Sequence, residues 1–375
     1  MADNFLSRIE RLKTRRKGIN EIFAMDSGLE SREILLAKSL QQEAWESMAS
    51  GKSATRYALG AMQEVDPVYT RVSIETGKRI ENQLSNRLEK KEISASFRLQ
   101  GSVPLNIHVK GVSDVDILTI DEQLFIFSNE GSKANSYVLS KKKAVGVLQT
   151  LREEIEDSLR AAFPAAKVDT ENSKAVKITG GSLARDVDVV PAVWWNNARY
   201  QDTGNEVDRG VAILNKKDNQ RIYNTPFLHI NYIESRCNTT LGGLRKSIRL
   251  LKNIKADARE ENIEINLSSF DIASIMYHAD MGNLLRGHFY ELAILSETQR
   301  WLDWLWHNFD EAKKLEVPDG TRKIFDTDEK KGELLKLSLQ VDEILKAVHN
   351  EMNSIFHKDS IDEEMRDYLS NSKVD

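Results

Sequence analysis

The apolar residues of this chain follow a helical spacing at its start. From residue 5 to about residue 61 they recur every three or four positions, as around Ile34 and Leu35, which predicts several helices. After Asp66-Pro67 a second periodic run, interleaved with charges of both signs, predicts one long amphipathic helix. The chain therefore begins with helices before any sheet.

In the middle of the chain the spacing changes to period two, which is typical of strands. Strands are predicted at 94–99, 115–120, 167–169, 175–178 and 186–190. We expect Pro191 to end the last of these strands, and residues 141–163 to form a helix between the second and third. After Pro226 every strong signal is helical, so the pattern predicts a sheet followed by a helical half.

Three stretches are predicted to lie on the surface. Residues 316–331 are dense in charge and carry Pro318 and Gly320, which indicates an exposed loop. Residues 360–375 are expected to fray. A cluster of Arg and Lys at residues 8–17 predicts an exposed helix face, with contact to nucleic acid as the alternative.

Composition narrows the class of protein. The 375 residues are 40% hydrophobic and 30% charged, with a formal net charge of -5, which excludes disordered and collagen-like chains and gives no overall attraction for nucleic acid. No apolar run approaches the ~18 residues of a transmembrane helix, and the first residues lack a signal-peptide pattern. The single cysteine, Cys237, fits a reducing compartment, so we predict a cytoplasmic protein.

The candidate chemistry lies in paired aspartates. Asp114 and Asp116 flank one residue at the start of a predicted strand, so both side chains point to one face, about 6 to 7 Å apart. Two carboxylates that repel each other and lose hydration are costly unless a cation neutralises them. With Asp188 from a later strand they would form an oxygen-only site for Mg²⁺ or Mn²⁺, with room for two ions.

Two questions about these carboxylates stay open at this point. Asp186 and Asp188 share a face, so composition cannot choose between them, and a strand-entry turn with exposed carboxylates is the alternative for Asp114 and Asp116. The metal hypothesis requires Asp188 to face the other two and requires that no lysine ammonium fills the space between them. Nearby, Gly101-Ser102 can hold phosphate, since glycine permits close backbone approach and serine donates a hydrogen bond.

The order of these motifs resembles a known family. Gly101-Ser102, Asp114-Val115-Asp116 and Asp188 to Ala192, followed by a helical half, resemble the polymerase-β-like nucleotidyltransferases over roughly residues 70–290. Within them the chain looks most like the bacterial CD-NTases, relatives of cyclic GMP-AMP synthase and the oligoadenylate synthases. The family's third carboxylate precedes two apolar residues and a proline, which selects Asp188.

The resemblance implies an architecture. It is an α+β fold, with long N-terminal helices, a mixed sheet and a C-terminal helical bundle. Residues 1–225 would hold the N-terminal helices and the catalytic core, and residues 226–375 the helical domain that completes the nucleotide cleft.

The resemblance also implies nucleotide contacts in the helical half. Lys252 resembles a family lysine that reaches the triphosphate, although a basic helix face is often only solvated surface. Ser269 resembles a phosphate contact, and Phe270 resembles an aromatic residue that stacks on a base. Phe270 has an equally simple alternative as a core residue at the start of a helical stripe.

The implied activity is a metal-dependent transfer of nucleotides. The family joins nucleoside triphosphates, here expected to include ATP, into a cyclic or linear oligonucleotide second messenger that activates a separate effector protein in antiphage defence. One alternative is a nucleotidyltransferase acting on RNA or protein, because the same chemistry accepts other hydroxyl groups. The other is a nucleotide-binding sensor without turnover, against which three intact carboxylates argue.

Overall fold

The computed structural model describes residues 2–17, 42–353 and 360–374. The predicted helical run around Ile34 and Leu35 lies outside these ranges. The helices are α1 (Ala2–Lys17), α2 (Ala44–Ser47), α3 (Ser53–Met62), α4 (Pro67–Glu89), α5 (Ala144–Ala162), α6 (Ala198–Thr203), α7 (Pro226–Thr239), α8 (Gly243–Glu260), α9 (Ser269–Tyr277), α10 (Met281–Arg286), α11 (Leu292–His307), α12 (Phe309–Ala312), α13 (Glu329–Met352) and α14 (Glu363–Ser370). The strands are β1 (Ala95–Gln100), β2 (Val115–Phe127), β3 (Lys167–Asp169), β4 (Val176–Thr179), β5 (Val187–Asn196), β6 (Gly210–Asn215) and β7 (Gln220–Asn224).

The strands of the described residues form one mixed seven-stranded sheet in the order β1-β2-β5-β4-β3, with β6 pairing β5 and β7. Strands β2 and β5 run parallel, and the other pairs are antiparallel. The predicted α+β fold with a mixed sheet is confirmed. The sheet is larger than the sequence predicted, because β6, β7 and the second halves of β2 and β5 were not foreseen.

Pro191 does not end β5, which continues to Asn196, so the predicted end of this strand is wrong. The reason lies in the neighbouring strands. On one side, β4 pairs with Val187 to Val189, and β6 takes over only at Ala192. Pro191 lies between these two partners, where its missing N–H costs no ladder hydrogen bond.

Helices α4 and α5 cover one face of the sheet. Helix α4 starts where the sequence indicated, with the Asp66 carboxylate accepting a hydrogen bond from the N–H of Val68 and Pro67 in the first turn. Its buried stripe packs with the alternate residues of β2 and β5. This core contains Ile80, Leu84, Leu88, Leu151, Ile155, Val115, Ile117, Val187 and Val189. The polar residues between these valines and isoleucines must therefore project from the opposite face.

The N-terminal helices share a core with the C-terminal helices. Phe5, Leu12 and Tyr57 lie in one hydrophobic cluster with Leu244 and Ile344. The division into domains at 1–225 and 226–375 stays a prediction. The hydrophobic cluster adds that α1 to α3 pack with the helical lobe. Within the described ranges, no helix is long and apolar enough to cross a membrane.

The basic residues of α1 are not an exposed face, so that interpretation is wrong. Arg8 is buried and donates to both carboxylate oxygens of Glu261. Arg11, three residues further along α1, donates to the same carboxylate. Arg15 donates to both oxygens of Asp257. Acidic residues at the end of α8 thus bind α1 to the helical lobe, a partnership that spacing within α1 alone does not reveal.

The other two stretches predicted to lie on the surface are exposed over much of their length but are anchored by a few buried apolar residues. In the loop 316–331, Val317, Ile324 and Phe325 are buried. Beyond residue 360, helix α14 buries Met365 and Leu369 against the same hydrophobic cluster. Widely spaced apolar residues within charged segments fix both stretches, and their spacing was too sparse to show a period.

We expect Asp257→Asn to destabilise the protein. Asp257 is fully buried and accepts hydrogen bonds from Arg11, Arg15 and the Tyr57 hydroxyl. Removing one partner of a buried ionic cluster costs about 3 kcal/mol of the free energy of unfolding. Urea unfolding followed by circular dichroism measures it. The exposed Glu10–Lys13 pair gives the control, since Glu10→Gln should cost under about 1 kcal/mol. Equal losses would contradict the assignment.

Candidate active site

The pairing of β2 with β5 brings two aspartates together. In the parallel register Asp116 lies opposite Asp188, and the N–H of Val115 donates to the carbonyl of Asp186. Because Val115 and Val187 point into the core under α4 and α5, the aspartates that alternate with them project from the other face. Asp188 thus faces the pair from β2, as the metal hypothesis requires.

Gly101 lies directly against Asp116. It follows β1, in which Gln100 pairs with Asp116, and it has a φ of 73°. A Cβ on residue 101 would overlap Asp116 Oδ2. Glycine is therefore required at position 101 for two reasons, the left-handed backbone conformation and the close approach of the Asp116 carboxylate.

Cationic side chains of α8 hold the loop that joins β1 to β2. Arg245 donates to the carbonyl of Leu105, and Arg249 to that of Asn106, at 2.9 Å each. Lys252, on the same face of the helix, donates to the carbonyl of Ile107 at 2.9 Å. These contacts fix the loop between Gly101 and Asp114 relative to the helical lobe.

Lys252 is placed differently from the other candidate residues. Its side chain is 1% exposed, and its ammonium also donates to the Ser113 hydroxyl at 2.9 Å. Burial lowers its pKa to about 7, against the attraction of Asp116. Lys252 lines a second cavity of about 640 Å³, bounded also by Val112 and Ser269. Its contact with triphosphate stays a prediction.

A cavity of about 630 Å³ lies beside the carboxylates, a volume suited to nucleotide-sized ligands. It is lined by every candidate residue except Lys252. These are Gly101, Ser102, Asp114, Asp116, Asp188, Ser269 and Phe270. Asp186 does not line it, so the structure favours Asp188 as the third carboxylate.

Ser269 and Phe270 start helix α9 at the far wall of the cavity. The preceding Ser268 caps this helix, since its hydroxyl accepts from the N–H of Asp271. The Phe270 ring stacks on His229 with centroids 4.3 Å apart, and the guanidinium of Arg322 lies 5.3 Å from its centroid. Phe270 is thus a half-buried wall residue, already in contact with other planar groups.

Several residues that line the cavity were not predicted from the sequence. Tyr223 and Asn224 come from the unforeseen strand β7, and Asp319 and Arg322 from the loop predicted to be exposed. Arg322 is fixed by an ion pair of 2.6 Å with Asp271, and Asp319 accepts from the Thr225 hydroxyl. The adjacent Ile222 and Tyr223, a β-branched and an aromatic residue before Asn224, are a weak strand signal that could have located Tyr223. Nothing in the sequence points Arg322 toward the cavity.

His229 adds a neutral wall to the cavity. Burial lowers its pKa to about 4, with opposing contributions from Asp319 and Arg322. The imidazole therefore carries no charge at neutral pH, and its stacking on Phe270 is a contact between uncharged rings.

Burial and neighbouring negative charge raise the pKa values of Asp116 and Asp188. The pKa of Asp116 rises to about 7, mainly through burial and then through the negative charges of Asp188 and Asp114. The pKa of Asp188 is raised by burial and by Asp114, whereas Lys177 lowers it. Burial and like charge both disfavour the ionised forms of Asp116 and Asp188, and a bound divalent cation would favour them.

The metal hypothesis also requires that no lysine ammonium fills the space between the carboxylates. Lys177 satisfies this requirement only in part. Its ammonium lies 2.5 Å from Asp114 Oδ2, so one carboxylate of the group has a cationic partner from the protein itself. Throughout the described ranges, no group of three or more acidic, histidine or cysteine side chains is arranged so that it could hold a metal ion. Asp114, Asp116 and Asp188 all line the cavity, but Asp114 is bonded to Lys177.

The donor set nevertheless fits a divalent ion. Asp188 Oδ1 is buried and has no hydrogen-bond partner among the described residues. A buried carboxylate oxygen without a donor is costly, and a hard cation satisfies it. Asp116 and Asp188 would therefore hold the ion, with the Asp114 carboxylate beside them.

Known proteins resemble the chain in sequence and in structure. Residues 231–348 match the family described as the cGAS/DncV-like nucleotidyltransferase C-terminal helical domain. The cyclic dinucleotide synthase CdnE of Yersinia aleksiciae is 48% identical over 357 residues, covering 93% of this chain and 93% of its own. The c-di-GMP synthase of Capnocytophaga granulosa is 33% identical, covering 76% of this chain and 84% of its own.

Solved structures give the same result. The structure of the STING-associated CdnE c-di-GMP synthase from Capnocytophaga granulosa matches with a TM-score of 0.68 at 28% identity. The match covers 94% of this chain and all of that one.

The mixed sheet, the helical lobe and the acidic cavity between them define a nucleotidyltransferase with a polymerase-β-like fold. More narrowly, the chain belongs to the CD-NTase family. Enzymes of this family generally depend on a divalent metal.

We expect Gly101→Ala to lower nucleotide turnover at least about tenfold, because the new methyl group displaces the Asp116 carboxylate. Gly180→Ala is the matched control. Gly180 has the same φ of 73° but open space around its missing Cβ, so it carries the backbone strain alone. Pyrophosphate release from NTPs measures both. Similar activities in the two variants would show that the Gly101–Asp116 contact is unimportant.

Proposed function

We propose that this chain is a cyclic dinucleotide synthase. The observation that carries the proposal is the register of β2 and β5, which sets Asp116 opposite Asp188 on a nucleotide-sized cavity beside Gly101. The names of the Yersinia aleksiciae and Capnocytophaga granulosa relatives support cyclic dinucleotides as the product class.

In this proposal the aspartates hold Mg²⁺ or Mn²⁺, two ions in the complete site, with Asp114, Asp116 and Asp188 as ligands. Bound divalent ions supply a lowered pKa for the attacking hydroxyl and neutralise charge on the departing pyrophosphate. Asp188 additionally accepts the proton of the acceptor ribose hydroxyl. Its unpaired buried oxygen supports this role.

Other residues hold the nucleotides. The backbone at Gly101 and the hydroxyls of Ser102 and Ser269 bind phosphate oxygens, and Phe270 contacts a base. The stack that Phe270 forms with His229 supports this last role, because a base can extend it. Lys252 binds the triphosphate if its ammonium leaves the Ile107 carbonyl; otherwise it acts by fixing the loop.

We further propose that nucleoside triphosphates including ATP are the substrates and that a separate effector protein responds to the product. The STING-associated relative of Capnocytophaga granulosa supports the effector. A role in antiphage signalling is part of the same proposal.

The decisive experiment uses the purified full chain. It is incubated with four radiolabelled NTPs and Mg²⁺ or Mn²⁺, treated with phosphatase and analysed by chromatography. A small phosphatase-resistant product that forms without added RNA or protein is expected. Product that forms only with a macromolecular acceptor would overturn the proposal. Nucleotide binding without pyrophosphate release under any condition would leave a sensor instead.

Asp116→Asn and Asp188→Asn should each lower product formation at least about 100-fold, since losing a metal ligand removes several kcal/mol of charge stabilisation. Asp186→Asn is the matched control. Asp186 lies two residues before Asp188, immediately before β5, and it does not line the cavity. It should keep activity within about fivefold. Persistent activity in Asp116→Asn would refute the assignment.

A further inference from the structure

Lys177 is a cation that the fold places on the acidic face. On β4 its neighbours Val176 and Ile178 are both fully buried in the core under α4 and α5. The alternation of the strand therefore turns Lys177 to the opposite face. In the antiparallel pairing of β4 with β5, Lys177 lies directly opposite Asp188, so the two side chains share that face.

The Lys177 ammonium is bonded to one carboxylate of the group. Nζ lies 2.5 Å from Asp114 Oδ2, and both side chains are about one-third exposed, at 32% and 33%. The negative charges of Asp114, Asp188 and Asp186 raise the pKa of Lys177 despite its partial burial, so it stays protonated. By contrast, Asp188 Oδ1 is buried and lacks a hydrogen-bond partner among the described residues.

A carboxylate has lone pairs on both oxygens, so Asp114 can keep the Lys177 ammonium 2.5 Å from Oδ2 while its other oxygen binds a divalent ion. The ammonium nevertheless opposes the ion, because the two cations share the negative charge of one carboxylate and repel each other. The effect is modest, because a partly exposed pair is screened by water.

We propose that Lys177 is a positioning residue that competes with the divalent cation for Asp114 and thereby weakens metal binding when no nucleotide is bound. The inference rests on the proposed role of Asp114 as a metal ligand. In the metal-free protein Lys177 offsets part of the negative charge of the acidic face, and a metal ion bound at Asp114 meets the opposing charge of this ammonium.

Metal binding without nucleotide tests this directly. Free Mn²⁺ is measured by electron paramagnetic resonance during titration of the full chain. Lys177→Met and Lys177→Gln should each bind Mn²⁺ roughly two- to fivefold tighter than the original protein, the size expected from a partly exposed ion pair. Lys174→Met is the control, since Lys174 is an exposed lysine just before the same strand, and it should leave the affinity unchanged. Circular dichroism verifies that each variant is folded.

A double-variant cycle separates competition at Asp114 from a general loss of positive charge. In an Asp114→Asn background the Lys177 substitutions should give no gain in Mn²⁺ affinity, because the contested side chain no longer carries charge. Equal tightening in both backgrounds would overturn the inference. So would unchanged affinity in Lys177→Met and Lys177→Gln, including the case in which no variant binds Mn²⁺.

The proposed function is judged separately. Product formation by Asp114→Asn with NTPs and Mn²⁺ tests whether Asp114 is a ligand during turnover. If that variant is inactive while the Lys177 variants bind Mn²⁺ no more tightly, the synthase assignment stands and the competition does not.

Discussion

The parallel pairing of β2 with β5 is the constraint on which the rest of the site depends. Its register sets Asp116 opposite Asp188, while the residues between them are buried under α4 and α5. A shift of one residue would send the carboxylates into the hydrophobic core, so burial of the valines and isoleucines fixes where the charges lie. Packing of the sheet against α4 and α5 thus offsets the repulsion between carboxylates that would be unfavourable by itself.

The helical lobe completes the site through helix α8. Arg245, Arg249 and Lys252 bind successive carbonyls of the loop that leads from Gly101 to Asp114. At its other end, α8 is bound to α1 by Asp257. One helix therefore connects the N-terminal segment, the helical core and the backbone next to the carboxylates.

Sequence alone predicted the features that depend on local patterns. Alternation in the strands gave the shared face of Asp114 and Asp116, and Asp66-Pro67 gave the start of α4. Features that depend on distant partners were missed. The predicted exposure of the α1 arginines is wrong because their acidic partners lie about 250 residues away in the chain. The position of Lys177 beside the aspartates is not predicted from the sequence, because only the pairing of β4 with β5 brings them together.

The family resemblance added what spacing could not. It distinguished Asp188 from Asp186, a choice that the cavity lining also favours. Its implication for Lys252 was less direct, since this side chain is buried against the loop rather than exposed to the main cavity. A motif carried over between relatives identifies a residue, whereas its hydrogen bonds decide what it can reach.

The central claim is that Asp116 and Asp188 are held together by a divalent ion. Crystals grown with Mn²⁺ and a non-hydrolysable ATP analogue, measured at the manganese absorption edge, test it most directly. The account predicts an anomalous peak bonded to both carboxylates, next to the analogue's phosphates. An analogue bound in the cavity with no manganese between these two side chains would contradict it.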